Sequence, residues 1–144
     1  MTIAAIAGFG AAAREALARL SRMERVSALR DRFEATILGI VPDAAFFGHG
    51  APRLPNTTFF AIPGMKAETA QIAFDLAGIS LSAGSACSSG KVGPSHVLKA
   101  MGHGEGAGAL RISIGHETDE EDLVGFTAAL AQIAGRRAVS PTAA

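Results

Sequence analysis

The spacing of apolar and polar residues separates a helical first segment of the chain from a mixed remainder. In residues 1–40, apolar side chains recur at steps of three and four, while charged residues, Arg30 among them, fill the other positions. This spacing predicts one long helix, or two helices that meet at a bend near Ser21. The apolar stripe consists of Ile3, Ile6, Gly10, Ala13, Leu17, Leu20, Val26, Leu29, Phe33, Ile37 and Ile40.

Short strand patterns alternate with helical patterns after Pro42, which cannot continue the first helix. Thr118 and Glu121 match a capping box at the start of the last helix. The predicted strands cover residues 45–47, 56–62, 79–81 and 109–114, and the predicted helices cover residues 66–76, 94–101 and 118–136. The expected inner face of the helix over residues 66–76 consists of Ala70, Ile72, Ala73 and Leu76.

These elements predict an α/β fold of the α+β kind, in which a small sheet is flanked by helices and preceded by a long N-terminal helix. We expect residues 1–40 to form a long connecting helix and residues 41–137 a small domain with a cysteine loop at 82–93. Residues 138–144 should form a tail. A helix of the predicted length would extend beyond so small a sheet, which indicates that the chain is part of something larger.

Composition and charge narrow the classes of function. The 144 residues are 49% hydrophobic and 18% charged, and 13 basic side chains balance 13 acidic ones. This balance favours neither nucleic acid nor an anionic membrane surface as a partner. No apolar run approaches the roughly 20 residues that span a bilayer, and no basic segment of a signal peptide opens the sequence. With one cysteine and no export signal, we expect a cytoplasmic location.

The single cysteine, Cys87, lies among small residues in the stretch Ser82-Ala-Gly-Ser-Ala-Cys-Ser-Ser-Gly90. A structural cysteine is normally surrounded by large apolar side chains that keep its thiol protonated and inert. This setting is instead typical of a loop whose thiol a reactant can reach. The alternative is a linker with an incidental cysteine.

Other candidate motifs do not complete a site. Gly8-Phe-Gly10 has no preceding strand and no third glycine, so it does not predict a dinucleotide loop. The histidines at 49, 96, 103 and 116 show no paired ligand spacing, so we expect no metal site. Cys87 with His96 or His103 could form the thiol–imidazole pair of a cysteine hydrolase, although no orienting Asn or Asp stands out.

Arg111 interrupts the alternation of the last predicted strand, on the face opposite Leu110, Ile112 and Ile114. A charge in the middle of a strand is costly without a partner, and the planar guanidinium group suits bidentate binding of a carboxylate. The alternative is an arginine that reaches solvent or pairs with Glu117 or Asp119.

Three stretches together closely resemble the C-terminal part of the cysteine desulfurases, which have the class V aminotransferase fold. They are Asp75-Leu-Ala-Gly-Ile-Ser-Leu-Ser-Ala-Gly-Ser-Ala-Cys-Ser-Ser-Gly90, Pro94-Ser-His-Val-Leu98 and Leu110-Arg-Ile-Ser-Ile-Gly115. His49-Gly-Ala-Pro52, Leu54-Pro-Asn-Thr57 and Thr118-Asp-Glu-Glu121 add support. The similarity looks greatest to the long-loop group that serves iron–sulfur assembly, and it extends to about residue 137.

The resemblance implies a pyridoxal phosphate enzyme that takes sulfur from L-cysteine and releases alanine. By motif, Cys87 is the nucleophile that receives the sulfur as a persulfide, and Arg111 holds the substrate carboxylate. Asn56 and His96 lie in matching motifs but receive no role. The implied partners are a sulfur-acceptor or iron–sulfur scaffold protein and a large-domain chain or homodimer mate.

The chain departs from the family in resembling only its last third. The Schiff-base lysine and the other cofactor-binding residues belong to the remainder, and Lys66, Lys91 and Lys99 do not match the family's lysine motif. We therefore expect no pyridoxal phosphate site in this chain, and no activity without the cofactor-binding domain. The alternatives are a non-catalytic remnant or persulfide-carrier module, and an unrelated thiol enzyme such as a hydrolase or peroxidase.

Overall fold

Two helices open the computed structural model, which describes residues 2–84, 95–103 and 108–139. Helix α1 spans Ile3–Arg19 and helix α2 spans Met23–Ile40, and a 3₁₀ turn at Leu20–Arg22 joins them. In this turn the Met23 N–H bonds to the Leu20 carbonyl, three residues back, which tightens the backbone. Of the two predicted arrangements, the structure therefore has the one with two helices that meet near Ser21.

The strands form one antiparallel sheet in the order β1-β2-β4-β3. Phe60 on β2 pairs with Leu110 on β4, so strands distant in sequence form the centre of the sheet. The strands are β1 (Ala45–Phe46), β2 (Thr57–Ala61), β3 (Ser82–Ala83) and β4 (Leu110–Ser113).

The main core lies between one face of the sheet and helices α2, α3 (Ala67–Leu76) and α5 (Glu120–Val139). Three aromatic rings link these helices: Phe126 lies 5.2 Å from Phe33 and 5.4 Å from Phe74 between ring centroids. The short helix α4 (His96–Ala100) contributes Leu98 to a second, smaller cluster. The predicted small sheet flanked by helices is confirmed.

The third strand lies later in the chain than predicted, at Ser82–Ala83 instead of residues 79–81. Helix α3 ends at Leu76, Gly78 follows at φ 79°, and the Ile79 N–H bonds back to the Phe74 carbonyl. Because this helix-end motif uses the Ile79 amide, the chain joins β4 only at Ser82.

The buried face of α3 agrees with the prediction at Ala70 and Ala73, which pack into the main core, but differs at the other two predicted positions. Ile72 and Leu76 are 62% and 83% exposed, whereas Ala67, Ala70 and Phe74 are buried. Residues 67, 70 and 74 share one helix face, and the prediction put two apolar residues of the opposite side among them. Phe74 faces the core because its ring stacks on that of Phe126.

The cap of α5 is displaced by one residue from the predicted pair Thr118 and Glu121. Asp119 Oδ1 accepts hydrogen bonds from the Glu121 and Asp122 amides at 2.8 and 3.2 Å, and Asp122 Oδ2 accepts from the Asp119 amide at 3.0 Å. Aspartate at both positions forms the capping box, while Thr118 accepts from the Gly115 amide in the preceding turn. The helix continues to Val139, beyond the predicted residue 136.

Helix α1 buries none of its side chains, whereas α2 contributes to the main core. The predicted overhang beyond the sheet is therefore observed for the first helix. The proposed domain limits at residues 40 and 137 remain predictions. No helix in the described ranges is both long and apolar enough to cross a membrane.

Candidate substrate-binding site

Arg111 lies in the middle of the sheet, on the face that does not meet the main core. Its neighbours in register are Phe59 on β2 and Ser82 on β3. Leu110 and Ile112, on either side of it in β4, are buried in the main core. The alternation of the strand therefore places the guanidinium group on the face away from the main core, as the sequence predicts. This face is called the second face of the sheet.

The second face has a small apolar cluster. Phe47, Leu98 and Ala109 are buried there, and Phe59 packs against them. The rings of Phe47 and Phe59 lie 5.4 Å apart, and the His103 ring meets Phe47 edge-on at 4.6 Å. An arginine on an apolar face has fewer competing water molecules than a surface arginine, so its bond to an anion is stronger.

The hydrogen bonds of Arg111 are incomplete. Its Nη2 donates to Ser82 Oγ over a long 3.4 Å, and its buried Nε has no partner in the described part of the chain. Its hydrogen-bond partner there is Ser82 and not Glu117 or Asp119. A buried donor without a partner costs about 1–3 kcal/mol, which an incoming acceptor would recover. A carboxylate fits this donor group.

Cys87, the predicted nucleophile, lies outside the described residues, so the structure gives no distance from Cys87 to Arg111. The described chain stops at Gly84, whose N–H bonds to the Ala109 carbonyl at 2.8 Å. It resumes at Ser95, which caps α4 by accepting from the Leu98 amide at 3.3 Å. Ala109 and Leu98 both belong to the apolar cluster of the second face.

A polar network that the sequence prediction missed fixes the segment before β2. Glu34 on α2 is 4% exposed. Arg53 donates to its carboxylate through the two terminal guanidinium nitrogens, Nη1 and Nη2, at 2.5 and 2.8 Å. The Thr58 hydroxyl also donates to it, and His49 Nε2 lies 3.2 Å from Oε2. Burial alone would raise the pKa of Glu34, but the hydrogen bonds from Arg53 and Thr58 and the nearby positive charges hold it below its usual value.

Arg30 lies on the same side of α2 as Glu34, although the helical pattern placed it outside the apolar stripe. It is 9% exposed and donates to the Leu54 carbonyl at 2.9 Å and to Ser27 and Asp31. Arg30 and Glu34 are four residues apart and flank the apolar stripe at Phe33. Pairs of opposite charge at this spacing are common on exposed helix surfaces, so no signal in the sequence indicated that these two residues are buried. Together they fix the segment that contains Asn56, whose carbonyl accepts from the Ile114 amide.

Neither lysine of the described ranges is placed as a Schiff-base lysine would be. Lys66 and Lys99 are both exposed, whereas a Schiff-base lysine is held against its cofactor. No group of three His, Cys, Asp or Glu side chains in the described part could hold a metal ion.

The family model for class-V aminotransferases matches residues 1–126. The chain belongs to this family. It is 37% identical over 142 residues to a cysteine desulfurase from Klebsiella pneumoniae. This alignment covers 96% of this chain and 36% of that protein. It is 40% identical over 123 residues to the cysteine desulfurase NifS of Azotobacter vinelandii, with 83% of this chain and 31% of that protein covered.

A solved structure agrees with the fold. A NifS-like protein from Rickettsia africae superposes with a TM-score of 0.76 at 32% identity, over 90% of this chain and 34% of its own. The resemblance to cysteine desulfurases is thus confirmed. The chain spans about a third of the length of these relatives: 36% of the Klebsiella pneumoniae protein and 34% of the Rickettsia africae protein.

Proposed function

We propose that this chain is the C-terminal part of a cysteine desulfurase that mobilises sulfur from L-cysteine. The observation that supports it most directly is Arg111, whose buried Nε lacks an acceptor within the described ranges. The same activity is supported by the relative of this chain from Klebsiella pneumoniae that is named cysteine desulfurase, which is 37% identical over 96% of the chain. In this proposal Arg111 binds the carboxylate of the substrate and Cys87 receives its sulfur.

The sulfur transfer assigns one chemical step to Cys87. Its thiolate attacks the sulfur atom of the substrate, and an S–S bond forms as the bond between that sulfur and the substrate β-carbon breaks. The electron pair of the broken bond stays with the carbon fragment, which takes up a proton and leaves as alanine. Cys87 retains the sulfur as a persulfide for an acceptor protein, such as an iron–sulfur scaffold.

The pyridoxal phosphate of this family supplies an electron sink, and we place its site in the part of the relatives that this chain does not cover. The exposed apolar residues of α1 support such a complement. Ile3, Phe9 and Leu17 are 86%, 80% and 70% exposed, so this helix face is suited to packing against another domain or a dimer mate. We assign the complete enzyme to the cytoplasm.

The test combines this chain with the part of the Klebsiella pneumoniae cysteine desulfurase that has no counterpart in it. We expect alanine release from L-cysteine and a persulfide on Cys87 only when both parts and pyridoxal phosphate are present. Cys87→Ala should abolish both. Arg111→Ala should raise the KM for L-cysteine by about 10- to 100-fold, because a charge-assisted hydrogen bond is lost.

Arg136→Ala is the matched control, since Arg136 is an exposed arginine on α5. It should leave the KM unchanged. An Arg111→Ala enzyme with normal KM would contradict the proposed carboxylate role. Activity of this chain alone with pyridoxal phosphate would contradict the proposed location of the cofactor site.

A non-catalytic persulfide carrier is the second candidate, because the chain covers only 36% of a full-length relative. A carrier would accept persulfide sulfur from a donor enzyme on Cys87 but would show no alanine release with any complement. The same reconstitution, followed by mass spectrometry of Cys87, distinguishes the two functions.

A further inference from the structure

Ser82 is the hydrogen-bond partner of Arg111 within the described part of the protein. It lies directly opposite Arg111 in the β3–β4 pair, on the second face of the sheet. Its Oγ accepts the hydrogen bond from Arg111 Nη2 at 3.4 Å. The Nε of the same guanidinium group has no hydrogen-bond partner in the described ranges, so the bond to Ser82 favours one of the many rotamers of Arg111.

The backbone on both sides of Ser82 is fixed. The Leu81 carbonyl accepts from the Gln71 side chain of α3 at 3.2 Å, and the Gly84 N–H bonds to the Ala109 carbonyl at 2.8 Å. Between these anchors, Ser82 pairs with Arg111 in the antiparallel ladder. The hydroxyl is therefore held at a defined point beside the guanidinium group.

We propose that Ser82 is a positioning residue for Arg111, whose hydroxyl sets the orientation in which the guanidinium group binds a substrate carboxylate. The inference rests on the proposed function for the identity of the substrate, but the Ser82–Arg111 contact itself does not. By accepting from Nη2, Ser82 leaves the buried Nε–H and the remaining N–H groups for the carboxylate. Pre-orientation lowers the entropy lost when that carboxylate binds.

The first experiment uses the chain alone, with acetate as the carboxylate probe. Nitrogen-15 NMR follows the Arg111 Nε–H signal during an acetate titration, with Arg111→Lys identifying the signal. Ser82→Ala should move this signal before any acetate is added. It should also raise the Kd for acetate by about 3- to 10-fold, the effect of losing one hydrogen bond.

Two further variants separate positioning from a general effect on the fold. Ser82→Thr retains the hydroxyl and should keep the Kd within about 2-fold of the wild-type value. Ser80→Ala removes a hydroxyl from an exposed residue on the same segment and should change neither the signal nor the Kd. Backbone amide spectra check that each variant is folded. An unchanged Nε–H signal and Kd in folded Ser82→Ala would overturn the proposal, as would a wild-type chain that does not bind acetate.

The second experiment measures the reconstituted desulfurase. Ser82→Ala should raise the KM for L-cysteine by about 3- to 10-fold and leave kcat unchanged, because it weakens binding of ground state and transition state alike. A fall in kcat with unchanged KM would overturn the positioning role.

Failure of this inference can be told apart from failure of the proposed function. If reconstitution gives no alanine but Ser82→Ala weakens acetate binding, the desulfurase proposal fails and the positioning role of Ser82 stands. If Arg111→Ala impairs the enzyme and Ser82→Ala behaves as wild type in both experiments, the desulfurase proposal stands and the role of Ser82 is overturned.

Discussion

Glu34 makes the stability of the protein depend on pH. Its folded-state pKa lies below the ordinary value of 4.5, because donors around the buried carboxylate outweigh the effect of burial. The unfolded chain therefore binds more protons, and the stabilisation is present above that value and lost as the pH falls through the lower, folded-state pKa. We expect Glu34→Gln to reduce the unfolding free energy at neutral pH by about 1–3 kcal/mol. Urea unfolding over a range of pH measures this.

Asp43 provides the control for this prediction. The hydrogen bonds from Arg137 hold the pKa of this carboxyl below its usual value as well, so it titrates in the same direction. Comparing Glu34→Gln in wild-type and Asp43→Asn backgrounds separates the two groups. The role of Glu34 would be refuted if Glu34→Gln retained the full loss of stability on acidification.

The sequence allowed the position of Arg111 to be predicted but not the contacts of Glu34. Arg111 could be singled out because it breaks the alternation of a short strand, and the structure places it on the predicted face. Its contact with Ser82 could not be predicted, since the register of β3 depends on where α3 ends. Glu34 resembled any charged helix residue, because its partners Arg53 and Thr58 come from a segment that only the folded chain brings near.

At the scale of the elements, the cap of α5 gives a direct test. Asp119→Ala should lower the unfolding free energy by about 0.5–2 kcal/mol, because the amides of Glu121 and Asp122 lose their acceptor. Glu121→Ala, which alters the residue that the sequence pattern wrongly assigned to the capping box, should change it by less than about 0.5 kcal/mol. Chemical denaturation of the three proteins measures both. Equal effects of the two substitutions would contradict the observed cap.

The elements themselves were largely predictable, and the errors lie at their ends and faces. Helical periodicity located α2 and α5, and alternation located β4, since each pattern follows directly from burial on one side. Ile72 and Leu76 were wrongly placed on the inner face of α3, because its alanines offer no strong contrast and the deciding contact of Phe74 with Phe126 is tertiary. The third strand was misplaced because the helix-end motif at Gly78 extends the loop by three residues.

At the scale of the whole molecule, α1 determines how the isolated chain behaves. Phe9 and Ile6 are 80% and 54% exposed on a helix that buries no residue. We expect the chain alone to self-associate through this face as its concentration rises. Phe9→Asp should shift it towards the monomer, whereas Val124→Asp, at a separate apolar position on α5 that is 69% exposed, should not.

Analytical ultracentrifugation across a concentration series tests this prediction. A wild-type chain that stays monomeric throughout would contradict it. Equal effects of Phe9→Asp and Val124→Asp would place the contact elsewhere. Adding the complementary part of the enzyme should suppress the self-association if that part covers the same helix face.

The strand order has a consequence for synthesis on the ribosome. Strand β4 lies at the centre of the sheet but is the last described strand to leave the ribosome, whereas β2, its partner, leaves about 50 residues earlier. Because the ribosome adds about 5–20 residues per second, the apolar side chains of β2 are without their central neighbour β4 for several seconds. The β1–β2 pair can form before β4 emerges, but β3 can join the sheet only through β4, so closure of the sheet coincides with the emergence of the strand that contains Arg111.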